Sequence, residues 1–275
     1  MKRFTAKLLC LLFPSRCICC KAVLAYRPSR AQSSHFGTEA PVCAECVPAL
    51  ESAMHVCRLC GKEPGDCSCF EIKGIRHRFI PFWYSDGAKR AVLNLKRSDC
   101  LEHYEFFAAL IADRINASAL KDSFDCVTYA PRRPSAVRKY GVDQAKRLAE
   151  SVAKRLGVRC KTLLYRTRPA RMQKKLAVEG RLANAADLYL PSPEAAKYEN
   201  VLLIDDVVTS GATVTACASQ LKALGVRRVA VAAVARAQTR EQLAAELMFR
   251  ASQKNAINGK TASATNNNNR HRTTP

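Results

Sequence analysis

Residues Val201 to Thr213 read Val-Leu-Leu-Ile-Asp-Asp-Val-Val-Thr-Ser-Gly-Ala-Thr. Four apolar residues lead into the adjacent carboxylates Asp205 and Asp206, then into a turn rich in hydroxyls that opens a helix. Such a run predicts a buried parallel strand ending at a ligand crevice. Backbone N–H groups at the helix N-terminus favour an anion such as phosphate. The carboxylates would repel that phosphate, so they must face another part of the ligand. Ionised Asp is an acceptor-only group, and neighbouring sugar hydroxyls are its natural donors. Acidic pair and anion cradle together specify a sugar phosphate. A Walker-type loop is the nearest rival, but no Gly-Lys-Ser/Thr follows. The plainest alternative is a buried strand followed by an acidic helix cap.

A second chemistry lies upstream. Ten of the fourteen cysteines precede residue 70, laid out as Cys17-x2-Cys20, Cys43-x2-Cys46, Cys57-x2-Cys60 and Cys67-x-Cys69. Thiolates two residues apart can both reach one tetrahedral ion, so the pattern predicts structural zinc, with one site from Cys17, Cys20, Cys43 and Cys46. A second site would use Cys57, Cys60, Cys67 and Cys69, with Lys62 to Asp66 supplying turn residues and Cys19 a substitute ligand. A site closed by four thiolates keeps no open position and is assigned no catalysis. A disulfide framework would need an oxidising compartment, and none of the pairs sits in a thioredoxin-like strand–helix context. Cys100, Cys126, Cys160 and Cys217 read as small core residues.

The elements that must position these groups alternate between strand and helix. A strand is expected at Phe79 to Tyr84. A helix capped by Asp86 runs to Lys96, and another spans 101 to 116 with Phe106, Ala109 and Leu110 at core spacing. A strand at Cys126 to Ala130 is closed by Pro131. The clearest helix runs from Asp143 to Leu156, where apolar residues recur every three or four positions before Gly157. A strand near Thr162 to Tyr165 precedes a polar, basic stretch from Arg166 to Asn184. The signature strand at 201 to 204, a helix from Thr213 to Leu224 and a strand from Val229 to Val234 complete the pattern. Strands alternating with helices predict an α/β fold with a parallel sheet. The expected division is 1–72 for an N-terminal helix and zinc module, 73–240 for the α/β domain, and 251–275 for a disordered tail. Phe82, Trp83 and Tyr84 read as core strand residues rather than base-stacking platforms.

The chain has 275 residues and carries 45 Lys and Arg against 23 Asp and Glu, a net charge of +22. That excess favours phosphate-rich partners, nucleic acid or an anionic small molecule, or a merely soluble basic surface. The opening apolar run, Leu8 to Phe13, is too short to span a bilayer and lacks a small-residue cleavage site. It reads as an amphipathic helix leading into the cysteine module, in a cytoplasmic protein without a membrane span.

The thirteen-residue run resembles the phosphoribosyl-pyrophosphate (PRPP) signature of type I phosphoribosyltransferases. The resemblance implies that Asp205 and Asp206 lie beside the ribose 2- and 3-hydroxyls, and that Thr209, Ser210, Gly211, Ala212 and Thr213 hold the 5-phosphate. Such a site must also hold pyrophosphate with cations, usually magnesium and guanidinium groups. Arg132 and Arg133, at a strand end within Ala130-Pro-Arg-Arg-Pro-Ser135, are candidates. Arg166, Arg168 and Gln173 are candidates from the basic stretch, read as a lid or as a solvated loop. With the cysteine module included, residues from about Leu12 to Arg236 resemble the ComF family of competence proteins. The supporting segments are Leu12-Phe-Pro14 before the first cysteine pair, Cys57-Arg-Leu-Cys-Gly61, Lys139 to Ala145, Gln173 to Leu176 and Arg181 to Asn184. The family's Arg-Gly-Phe-Asn-Gln stands here as Tyr140-Gly-Val-Asp-Gln144, and its Pro-Val-Pro-Leu as Tyr129-Ala-Pro-Arg132.

The resemblance implies a PRPP-binding, phosphoribosyltransferase-like protein with structural zinc, and magnesium accompanying PRPP. It would act in DNA uptake on or near single-stranded DNA, with a DNA-uptake helicase as a possible partner. No residue stands out as a general base. The alternatives are a non-catalytic adaptor for nucleic acid or a helicase, with a sensory or vestigial PRPP site, and a nucleotide-salvage phosphoribosyltransferase. The zinc module argues against salvage.

Overall fold

A computed structural model of the chain describes residues 14–24, 36, 40–69, 71–97, 99–167, 188–249 and 251–252. The expected amphipathic helix at the start, the tail from Gln253, and the lid candidates Arg168 and Gln173 lie outside the described residues.

Among the described residues, eight strands follow in chain order: β1 Arg78–Phe79, β2 Phe82–Trp83, β3 Cys126–Tyr129, β4 Arg159–Cys160, β5 Leu164–Arg166, β6 Tyr189–Pro191, β7 Asn200–Val208 and β8 Arg228–Arg236. Six of them form a parallel sheet in the order β1-β8-β7-β3-β4, with β2 following β1 along the same edge of β8. The strand expected at Phe79 to Tyr84 is thus split in two. Pro81 has no N–H to donate, and the ladder resumes only beyond it. β5 and β6 form a separate antiparallel pair, extended by a bond from Thr167 N to Leu188 O at 3.0 Å.

The sheet is covered on both faces, which explains the unbroken apolar runs of its central strands. Along β7, Leu202 and Ile204 face one core while Val201 and Leu203 face the other. β8 divides likewise, Ala230, Ala232 and Val234 against Val229, Val231 and Ala233. The first face carries helices Asp86–Leu95, Leu101–Asn116 and Gln144–Leu156, and its core continues into Cys17, Ile18, Val42 and Leu50 of the cysteine module. The second face is covered by helix Ala212–Ala223, the β5–β6 pair, and Ile72 and Ile75.

Local chemistry accounts for the helix ends. Asp143 caps Gln144–Leu156 by accepting from Lys146 N, and Gly157 closes that helix with φ 69°. The N-cap of Asp86–Leu95 is extended Ser85 rather than Asp86, which sits in the first turn, where its charge complements the helix dipole. In Leu101–Asn116 the buried stripe is Phe106, Phe107, Ala108 and Ile111, while Ala109 and Leu110 are half-buried. A further helix over 240–249 follows β8 beyond the expected domain end. Thr239 and Gln242 form a reciprocal cap at its start, Thr239 N donating to Gln242 Oε1 at 2.9 Å and Gln242 N to Thr239 Oγ1 at 3.2 Å. This is the Thr-x-x-Gln capping box. Among the described residues, no helix is long and apolar enough to cross a membrane.

Candidate functional site

β7 does not stop before its carboxylates. It stays paired with β8 through Val208 opposite Arg236, so Asp205 and Asp206 lie inside the strand. Asp206 meets cations: its Oδ2 is 3.3 Å from Lys96 Nζ and 3.6 Å from an Arg132 guanidinium nitrogen. Asp205 accepts from the Asp206 backbone N–H at 2.8 Å. Burial, with the Asp206 charge adding to it, pushes the Asp205 carboxyl up to about 8.

Beyond Val208 the chain turns through exposed Thr209 and Ser210 to buried Gly211. Gly211 is the N-cap of Ala212–Ala223 and adopts φ 77°. A β-carbon there would also stand 3.2 Å from Ile72 Cγ2, so the conformation demands glycine and the space around it is tight. Ala212 N lies 3.4 Å from Ser210 Oγ, while Ala212 and Thr213 are half-buried at the helix start. The turn therefore places hydroxyls beside the positive end of a helix, an arrangement suited to a phosphate.

The structure brings Arg132 to the acidic pair and leaves Arg133 exposed as the N-cap of helix Pro134–Tyr140. Arg132 N also lies 3.4 Å from Asp143 Oδ2. Burial raises the Asp143 carboxyl, opposed by the N–H groups of Lys146 and Arg132. Buried Gln144 donates to Lys96 O and Val142 O, both at 3.1 Å. Asp143 and Gln144 thus tie the loop carrying Arg132 to the helix end carrying Lys96. Arg166 stacks on Tyr189, its guanidinium carbon 5.2 Å from the ring centroid. Lys96 went unread in the sequence. As the C-cap of its own helix it is an ordinary basic terminus, and only the fold carries it to Asp206.

The cysteines form two quartets, Cys17, Cys20, Cys43, Cys46 and Cys57, Cys60, Cys67, Cys69, with all sulfurs of each within 4.8 Å of one another. Sulfurs at the corners of a tetrahedron around zinc, with Zn–S of about 2.3 Å, are separated by about 3.8 Å. The observed separations are 3.7 Å for Cys20–Cys43, 3.6 Å for Cys60–Cys67 and 3.9 Å for Cys57–Cys69. Both quartets are consistent with structural zinc, and these distances are far too long for disulfide bonds of about 2.05 Å. Cys19 belongs to neither quartet and is buried, its thiol 3.7 Å from Gly87 O.

Thiolate is favoured at one position of each quartet. The Cys19 thiol, donating to Cys17, brings Cys17 down to about 3. Burial raises Cys60, but the N–H groups of Lys62 and Ser68 bring it down to about 6. Cys69 is pushed up to about 12 by burial and the neighbouring sulfurs; four thiolates this close call for a cation. The single-residue spacing of Cys67 and Cys69 is no obstacle, since all four sulfurs come within 4.8 Å of one another, and Gln242 supports this quartet. Its amide lies 3.0 Å from Cys67 Sγ and 3.4 Å from Cys57 Sγ. Of the later cysteines, Cys126 and Cys217 are buried and Cys100 and Cys160 half-buried.

No curated protein matches the chain. Residues 143–261 match the family model described as the phosphoribosyl transferase domain. The Asp205–Asp206 strand and the turn into Ala212–Ala223 lie within this phosphoribosyl transferase domain at 143–261, and two four-cysteine clusters precede it in the chain.

Proposed function

We propose that this chain is a ComF-type, PRPP-binding protein acting in the cytoplasm, on or near single-stranded DNA during natural transformation. The observation that carries the PRPP reading is the strand-to-helix turn in a phosphoribosyl transferase domain, with Asp205 and Asp206 directly before it. The hydroxyls and N–H groups of residues 209–213 hold the 5-phosphate, the acidic pair accepts from the ribose hydroxyls, and Arg132 faces the pyrophosphate. Magnesium, bound with PRPP, neutralises pyrophosphate charge. In a turnover, the C1–O bond to pyrophosphate breaks through an oxocarbenium-like state as an acceptor nucleophile bonds to C1. The DNA-uptake reading is supported by the two cysteine quartets upstream of the domain and by the net charge of +22.

A reading without turnover is favoured by one observation: the charges of Asp206, Lys96 and Arg132 satisfy one another. The protein would then sense PRPP while gripping nucleic acid or a helicase. Calorimetric titration of PRPP with magnesium into the wild type and Asp205→Ala/Asp206→Ala tests the site, and a pyrophosphate-release assay separates the two readings. Heat of binding in the wild type and none in the double variant is the expected result. No binding in the wild type overturns the ligand, and binding without release across acceptors selects the sensor.

A further inference from the structure

At the opposite end of the sheet from Asp205, the amino ends of β1 and β8 open onto a groove of about 740 Å³. Arg228 pairs with Asn200 at the start of β7, five residues before Asp205, or roughly 16 Å at about 3.3 Å per residue. The groove is therefore not part of the ribose-phosphate site.

Its lining holds seven Lys and Arg against two acids, Asp66 and Glu71. Three of the cations are anchored. Arg78 donates to Gly65 O and Cys67 O, Lys222 to Gly74 O, and Arg227 to Glu199. The other four, Lys62, Lys73, Arg76 and Arg228, are exposed and make no ion pair among the described residues. They come from three separate chain segments, so the fold and not a local basic run assembles them. Crowded cations repel, a cost tolerated where a polyanion neutralises them. His77 lies among them, its charged form disfavoured by burial and by Arg228, Arg76 and Arg78. No Phe, Tyr or Trp side chain lines the groove among the described residues, so it offers no large ring surface for stacked bases. What it offers is guanidinium and ammonium groups spaced for phosphates, the contacts that position a nucleic-acid backbone without reading sequence.

We propose that this groove binds a chain of linked phosphates, either a nucleic-acid backbone or a free polyphosphate, at a site independent of the ribose-phosphate site.

The test uses the full-length, zinc-loaded chain, a fluorescein-labelled twenty-residue oligothymidylate and sodium tripolyphosphate as competitor. The variant is Arg76→Glu/Arg228→Glu, with zinc content and melting temperature checked against wild type. Binding of the oligonucleotide should weaken at least tenfold in this variant. The slope of log affinity against log salt should flatten by about 1.4, since each phosphate neutralised on a single strand contributes about 0.7. Asp205→Ala/Asp206→Ala should leave oligonucleotide binding unchanged. Displacement of the oligonucleotide by micromolar tripolyphosphate identifies free polyphosphate as a sufficient ligand; resistance to displacement identifies the nucleic-acid backbone. Unchanged affinity and salt slope in Arg76→Glu/Arg228→Glu overturn the proposal, as does failure of both probes to bind the wild type. Loss of oligonucleotide binding in Asp205→Ala/Asp206→Ala overturns its independence. A PRPP titration on the same samples reads the other site separately.

Discussion

The Arg132 guanidinium lies 3.6 Å from the Asp206 carboxylate, joining the loop after β3 to the strand that carries the acidic pair. Lys96 approaches the same oxygen at 3.3 Å from the end of helix Asp86–Leu95. One loop and one helix end therefore converge on a single carboxylate.

If Arg132 faces pyrophosphate, replacing it removes a charge-assisted contact. Arg132→Ala should weaken magnesium–PRPP binding about tenfold, equivalent to about 1.4 kcal/mol. Titration calorimetry reads this directly, and an unchanged affinity would place the pyrophosphate elsewhere.

Asp205 gives a pH dependence whose sign follows from its raised carboxyl, at about 8 against an ordinary value near 3.9. The folded chain holds this proton more tightly than the unfolded chain does. Its contribution therefore makes stability fall as pH rises from about 4 to about 8, and level off above. Melting temperatures across pH 5 to 9 should show this slope reduced in Asp205→Asn. Ribose hydroxyls require an acceptor, so PRPP binding near neutral pH should also release a proton. Calorimetry in buffers of different ionisation enthalpy would detect it, and equal heats in all buffers would contradict it.

Each quartet should bind one zinc ion, two per chain. Cys43→Ser should remove one and Cys67→Ser the other, read as zinc per protein by elemental analysis. Gln242 donates to two sulfurs of the second quartet from the helix after β8. Gln242→Ala should weaken that site alone by roughly 10–100-fold, as measured by competition with a chromogenic chelator. Equal loss from both sites would argue against this role.

Gly87 marks where the cysteine module packs on the α/β domain. A β-carbon at this position would stand 2.7 Å from Ala49 C and from Leu50 N, both backbone atoms. Gly87→Ala should therefore cost about 1–3 kcal/mol by overpacking. A lowered urea midpoint would register this, and an unchanged midpoint would mean the two parts separate easily.

Much of this is legible along the chain because it is written in short-range chemistry. The cap at Asp143 and the stop at Gly157 need only neighbours within one helical turn. The Cys-x2-Cys spacings announce thiolate pairs, and the apolar run of β7 implies burial on both faces. Thr239-Arg-Glu-Gln242 carried an equally local capping signal for the helix over 240–249, although its exposed Leu243, Leu247 and Met248 give it no core-facing stripe. The split of the strand at Pro81 was likewise readable from proline's missing N–H.

By itself the sequence determined the α/β alternation, the two cysteine quartets and the acidic strand leading into a turn that needs glycine. These depend on periodicity, ligand spacing and backbone conformation, all local properties. Only the tertiary structure decided that β7 continues past Asp205 and Asp206, because its pairing with β8 runs on to Val208. It also brought Lys96 and Arg132 to Asp206, and Gln242 to sulfurs as far as 185 positions away. Partners that distant leave no pattern in the chain; they meet because burying both faces of one sheet allows a single arrangement of the helices and loops around it.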